Sequence, residues 1–183
     1  MTAVALLLGL LIDHFVGEVK RWHPLVGFGD AASILEEAAN PSSDIEGKLR
    51  GLFCWALMVL IPVMAMSLVV SQLSGLALLV VNALVVYFVV GLKSLAEHGR
   101  NVAVPLLAGD LPAARQLIAM MVSRDTDMLT EQQVASAACE SVLENGSDAI
   151  FAALFWFCLL GAPGAILYRG ANTLDAMWGY KTD

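Results

Sequence analysis

The chain has 183 residues, 58% of them hydrophobic and 15% charged, with a formal net charge of −7. That balance excludes an ordinary soluble domain and predicts an integral membrane protein, with one membrane domain over 1–183 and no separate soluble domain of any size. The acidic excess argues against a nucleic-acid partner. Cys54, Cys139 and Cys158 are scattered, and their spacing suggests neither a disulfide framework nor a metal site.

In chain order, the first apolar segment covers 2–12 and continues through Asp13 and His14 to Val16. It has no preceding basic residue and no small-x-small cleavage site, so it does not read as a signal peptide. The polar stretch 13–51 follows. It holds His23 before Pro24, read as a turn or interfacial residue, a predicted helix over 30–39 and a turn at 40–44. Segments 52–70 and 75–92 are each near the roughly 20 residues that cross a bilayer. Only residues 71–74 separate them, which predicts a helical hairpin, with a kink at Pro62 in its first arm.

The second polar stretch, 93–148, reads as helical in pieces. Asp110 is the expected N-cap of one helix, and Thr130 with Gln133 makes a capping box that opens another at Glu131. His98 is expected at a helix end, in contact with the C-terminal dipole. The last apolar segment, 149–168, is interrupted by Gly161, Ala162, Pro163 and Gly164. The fold class is therefore all-α: a polytopic membrane protein with four apolar segments and cytoplasmic amphipathic helices between them. Lys20, Arg21, Lys48 and Arg50 lie in the first polar stretch, and Lys93, Arg100, Arg115 and Arg124 in the second. The excess of basic residues places both in the cytoplasm, with the N-terminus and the 71–74 connection outside.

The sequence has no Walker A motif, since Gly47 and Lys48 lack the upstream glycine, and no HExxH. Gly27, Gly29 and Ala32 fit the looser GxGxxA pattern but follow no strand signal. Glu140, Glu144 and Asp148 are spaced four apart and fall on one face of a helix. Their mutual repulsion would be relieved by a divalent cation or by a cation carrying phosphates; a solvated acidic face at the membrane surface is the alternative. Arg124, Asp125 and Thr126 read either as a loop with a local ion pair or as a phosphate-binding arginine beside a metal-binding carboxylate. Asn172 to Asp175 read either as a helix start, capped by Asn172 or Thr173, or as part of a site. The eight methionines and Trp22, Trp55, Trp156 and Trp178 read as packing and interface residues.

Together these residues resemble one family. The pattern is His23-Pro24, Arg124-Asp125-Thr126, Glu140 with Glu144, Asn145, Ser147 and Asp148, Phe155-Trp156, then Gly161, Pro163, Gly164, Ala165, Tyr168 and Arg169, and finally Asn172, Thr173, Leu174, Asp175, Met177, Gly179 and Tyr180. It is similar to the adenosylcobinamide-phosphate synthases of cobalamin biosynthesis, and to their N-terminal portion, since family members continue further. The resemblance implies an ATP-dependent ligase. Such an enzyme joins the adenosylcorrinoid adenosylcobyric acid to (R)-1-amino-2-propanol or its phosphate through an amide, with Mg2+ as the metal. It implies a multi-pass protein of the cell inner membrane in contact with lipid, with its active site facing the cytoplasm. A homo-oligomer or association with other corrinoid-pathway membrane proteins would be consistent with it.

On that basis Glu140, Glu144, Asn145, Asp148, Asn172 and Asp175 are the candidate catalytic residues. Arg124 and Arg169 are candidates for phosphate, and Asp125, Glu140, Glu144 and Asp148 for metal. The alternative is a non-catalytic inner-membrane sensor or accessory protein related to the family. A small transporter would want ionisable residues within the spans, where Asn82 is a lone polar residue. One conflict remains. A straight helix over 149–168 would put Asn172 and Asp175 on the side of the membrane opposite Glu140–Asp148. The glycines and Pro163 predict instead a broken or re-entrant element that returns both clusters to one face.

Overall fold

A computed structural model describes residues 1–19, 23–39 and 45–179. The predicted turn at 40–44, together with Lys20, Arg21, Trp22, Tyr180 and Lys181, lies outside the described residues. Among these the regular structure is entirely helical: α1 (Thr2–Val16), α2 (Pro24–Ala39), α3 (Ile45–Gln72), α4 (Gly75–Val89), α5 (Leu92–Leu107), α6 (Leu111–Ile118), α7 (Glu131–Asn145), a π-helical turn (Gly146–Ala152) and α8 (Ala153–Trp178). Ile45–Gln72, Gly75–Leu107 and Glu131–Trp178 are long and apolar enough to cross a membrane, and α1 is a shorter apolar helix. Leu68, Leu76, Phe151 and Leu159 point outward and exposed, as expected where hydrocarbon is the solvent.

α1 and α4 run parallel at close range. A Cβ on Gly9 would lie 2.6 Å from the Val86 side chain and 2.8 Å from the Ala83 carbonyl oxygen, so only glycine allows this crossing. The C-terminal end of α1 is tied down by polar groups. Buried Asp13 accepts a hydrogen bond from the backbone N–H of Lys93 at 2.9 Å, satisfying an otherwise orphaned donor in the first turn of α5. The Tyr87 hydroxyl donates to the carbonyl of Gly17 at 2.8 Å. These bonds fix the ends of α1 and α4 and the start of α5 at one end of the molecule.

The second arm of α8 runs antiparallel to α3. Gly170 packs on Val59, and Val59, Leu174 and Ala32 of α2 form one buried cluster. The two arms of α8 are not collinear. Gly161 has φ 68° and ψ −155°, outside helical geometry, and a Cβ on Gly164 would touch the carbonyl oxygen of Trp156. In a straight helix those two residues would be about 12 Å apart along the axis. The chain therefore reverses at Gly161, as the Gly-Ala-Pro-Gly run predicted, and the straight-helix alternative is overturned.

α5, α6 and α7 form a small separate bundle around Val102, Ala114, Ile118, Val134 and Ala137. Its ends are those the sequence signals. Asp110 accepts from the Ala113 N–H at 3.1 Å, and Thr130 and Gln133 form the reciprocal capping box. Other expectations need correction. The helix expected over 30–39 begins at Pro24, because the His23 imidazole Nδ1 accepts from the Leu25 N–H at 3.2 Å and starts it early. The GxGxxA residues lie inside that helix. His98 is interior to α5, its ring against the Ser94 carbonyl. Asn172 and Thr173 cap nothing: they are inside α8, where the Thr173 hydroxyl donates back to the Arg169 carbonyl at 2.8 Å. Asn82 bonds the Leu78 carbonyl of its own helix.

Candidate functional site

The helix reversal creates the site. A cleft of ≈910 Å³ opens between the 119–124 loop, α7, the π-helical turn and the C-terminal arm of α8. Arg124, Glu140, Glu144, Asn145, Asp148, Asn172 and Asp175 all line it. Of the candidate residues, six from two polar clusters thus meet in one place together with Arg124, although a straight helix would hold Asp148 and Asp175 about 40 Å apart. The π-helical turn begins one residue after Asn145. Its looser i→i+5 winding lets the chain pass from α7 into α8 without a loop, and such insertions are frequent at functional sites. No feature of the sequence marked it.

The cleft is electrostatically lopsided, with four carboxylates and one guanidinium lining it. Arg124 donates to Glu140 at 2.8 Å, with both side chains more than half exposed. Among the described residues no cation pairs with Glu144, Asp148 or Asp175. Beneath the cleft the floor is held by Ser141, which is buried. Its hydroxyl donates to the Met121 carbonyl at 3.2 Å, and the Asn145 amide donates to the Ser141 carbonyl at 2.8 Å. That leaves the Asn145 carbonyl oxygen as the free acceptor of its side chain. No motif marks Ser141 in the sequence, although its four-residue spacing from Asn145 places both on one helix face.

Two candidates fall outside this cleft. The Asp125 carboxylate accepts from the Asp127 N–H at 3.0 Å, a local turn that directs it into its own loop. Thr126, buried beside it, donates to the Arg115 carbonyl and pins that loop to α6. Arg169 lines a different, apolar cavity under α2; it lies one residue past Tyr168, which turns toward the polar side. The expected four-carboxylate metal set is therefore not assembled, and among the described residues no three His, Cys, Asp or Glu side chains are grouped closely enough to hold a metal ion.

A second hollow of ≈520 Å³ adjoins the cleft and shares Asn172 and Asp175 with it. Trp55, Tyr168 and Trp178 line it, and the Trp178 indole N–H is buried without a partner. Of these aromatic residues, Trp55 and Trp178 read from sequence as packing residues.

The family model described as CobD/Cbib protein matches residues 6–183. The chain belongs to that family. It is 51% identical over 172 residues to the cobalamin biosynthesis protein CobD of Stutzerimonas stutzeri, covering 94% of this chain and 56% of the relative. It is 50% identical over 187 residues to the protein of the same name from Chromobacterium violaceum, covering 100% of this chain and 59% of that one. With the Rhodobacter capsulatus CobD it shares 39% over 162 residues, covering 88% and 51%. The chain thus spans a little over half the length of these family members. No solved structure matches it.

Proposed function

We propose that this chain serves cobalamin biosynthesis as the catalytic portion of an amide-forming ligase of the inner membrane, with its cleft facing the cytoplasm. The reaction activates the carboxylate of adenosylcobyric acid with ATP, giving an acyl phosphate and ADP. The amine of (R)-1-amino-2-propanol or its phosphate then attacks the acyl carbon. Phosphate leaves, an amide bond forms, and the amine gives up a proton. The observation that carries this reading is the convergence of Glu140, Glu144, Asp148 and Asp175 with Arg124 in one cleft.

The donor set suits magnesium that arrives with a nucleotide. Mg2+ takes one or two carboxylates together with phosphate oxygens and water, and Glu144 and Asp148, unpaired with any cation among the described residues, would supply such ligands. Bound there, it would offset the charge of the triphosphate. Arg124 exchanges its bond to Glu140 for one to a phosphate oxygen. The free carbonyl oxygen of Asn145 and the amide of Asn172 orient the amine and the acyl group. Asp175, on the side of the cleft shared with the aromatic hollow, receives the amine proton. All of these groups except Arg124, which sits on the 119–124 loop, are carried on helices or the π-helical turn, which holds them in position before the substrates bind.

The test is Glu144→Gln in the complete family enzyme, given ATP, magnesium, adenosylcobyric acid and aminopropanol phosphate. Amide formation and phosphate release should both disappear while membrane insertion is unchanged. A variant as fast as the wild type would reduce the acidic face to solvated surface. Corrinoid binding by the wild type without any nucleotide turnover would favour an accessory protein.

A further inference from the structure

A cavity of ≈340 Å³ lies between α2, α3, α4 and the second arm of α8, apart from the acidic cleft. Its walls are apolar: Phe28 from α2, Met58 and Pro62 from α3, Val85 and Phe88 from α4, Ile166 from α8. One charged group lines it, Arg169. The Nε of Arg169 is sealed from solvent and has no hydrogen-bond partner, and among the described residues no carboxylate forms an ion pair with it. An N–H of a cation withdrawn from water without an acceptor is unfavourable, so this edge of the guanidinium calls for an acceptor, and its positive charge favours an anion.

The walls specify what kind of anion. A small soluble phosphate or carboxylate gains nothing from six apolar side chains, whereas an anion that carries hydrocarbon gains their burial. Three of the four helices belong to stretches long and apolar enough to cross a membrane. His23, at the start of α2, stacks edge-on against Phe88 of the cavity wall. The α2 edge of the cavity thus borders the polar stretch of the chain, while its α3, α4 and α8 walls belong to the apolar stretches. We propose that this cavity binds an anionic phospholipid, with its phosphate on Arg169 and the first part of one acyl chain between α3 and α4. The site is independent of the amide chemistry and ties the α2–α8 corner to the membrane surface.

The experiment is native mass spectrometry of the full chain released from nanodiscs of phosphatidylcholine, with and without phosphatidylglycerol. The wild type should retain one phosphatidylglycerol per chain and little phosphatidylcholine. Arg169→Gln should weaken that retention about tenfold, the value of one charge-assisted contact, and Arg169→Lys should keep most of it. Met58→Trp, which fills the slot from its α3 wall and leaves Arg169 in place, should abolish it. Equal retention by wild type, Arg169→Gln and Met58→Trp would overturn the proposal, as would a wild type that retains no anionic lipid. Full displacement of the lipid by inorganic phosphate at comparable concentration would also overturn it, since the apolar walls would then contribute nothing.

Discussion

A Cβ placed on Gly164 would lie 2.5 Å from the carbonyl oxygen of Trp156. That near-contact across eight residues of sequence is where the two arms of α8 close on each other. Gly161, at φ 68°, supplies the reversal, and Gly164 supplies the space. The consequence is the cleft itself, because the reversal delivers Asn172 and Asp175 to the side that holds Glu140, Glu144 and Asp148.

Cysteine labelling reads this directly. In a background without Cys54, Cys139 and Cys158, single cysteines at Ser147 and Ala176 should react with a membrane-impermeant reagent from the same side. Labelling from opposite sides would restore the straight helix and remove Asp175 from the site.

Gly164→Ala should destabilise the protein by about 3 kcal/mol, the upper end of overpacking penalties, because the obstructing atom belongs to the backbone and cannot swing away. Cleft formation should fail with it, seen as lost nucleotide binding at temperatures where the helical signal persists. An alanine variant with wild-type melting and binding would mean that the arms separate without cost.

The Arg124–Glu140 pair is exposed, so its contribution to stability should be under about 1 kcal/mol. Its role in the proposed reaction is different: Arg124 must leave Glu140 for a phosphate. The charge-swapped double variant, Arg124→Glu with Glu140→Arg, should therefore melt like the wild type yet ligate only slowly, with a strongly raised KM for ATP. Recovery of activity in the swap would make the pair a structural tie.

His23 gives a pH dependence. Burial, aided by the positive charge of Arg169 and opposed by Glu18, lowers its pKa below the usual 6.5. The neutral ring is also the form whose Nδ1 can accept from the Leu25 N–H. The unfolded chain then binds the proton more readily than the folded one. The stabilisation is complete above 6.5 and declines as pH falls through the lowered folded value. Thermal melts should show the advantage of wild type over His23→Leu shrinking below pH 6.5 and constant above it. An advantage that grows on acidification would reverse the sign of the shift.

Much of this was legible in the amino-acid order. Long uncharged runs can lie only in a bilayer or a large core, so the helical membrane class followed from composition. Asp110, Thr130 and Gln133 marked helix starts, because a cap is a local interaction within a few residues. The four-residue spacing of Glu140, Glu144 and Asp148 placed them together for the same local reason, and they do share the cleft. Even the reversal at Gly161 was signalled, because a proline between glycines weakens a helix wherever it sits.

What only the tertiary structure decided were questions of direction and distance. Asp125 and Arg169 are of the right type and in the right motif, yet one turns into its own loop and the other faces an apolar cavity. Asn172 and Thr173 look like a cap but sit mid-helix, because the packing of Gly170 and Leu174 on Val59 carries α8 straight through them. Trp55 and Trp178 became walls of a hollow beside the cleft only when α3 and α8 paired antiparallel. Sequence spacing specifies which residues share a helix face. Which way that face points depends on contacts between residues more than a hundred positions apart, and these exist only once the helices have packed.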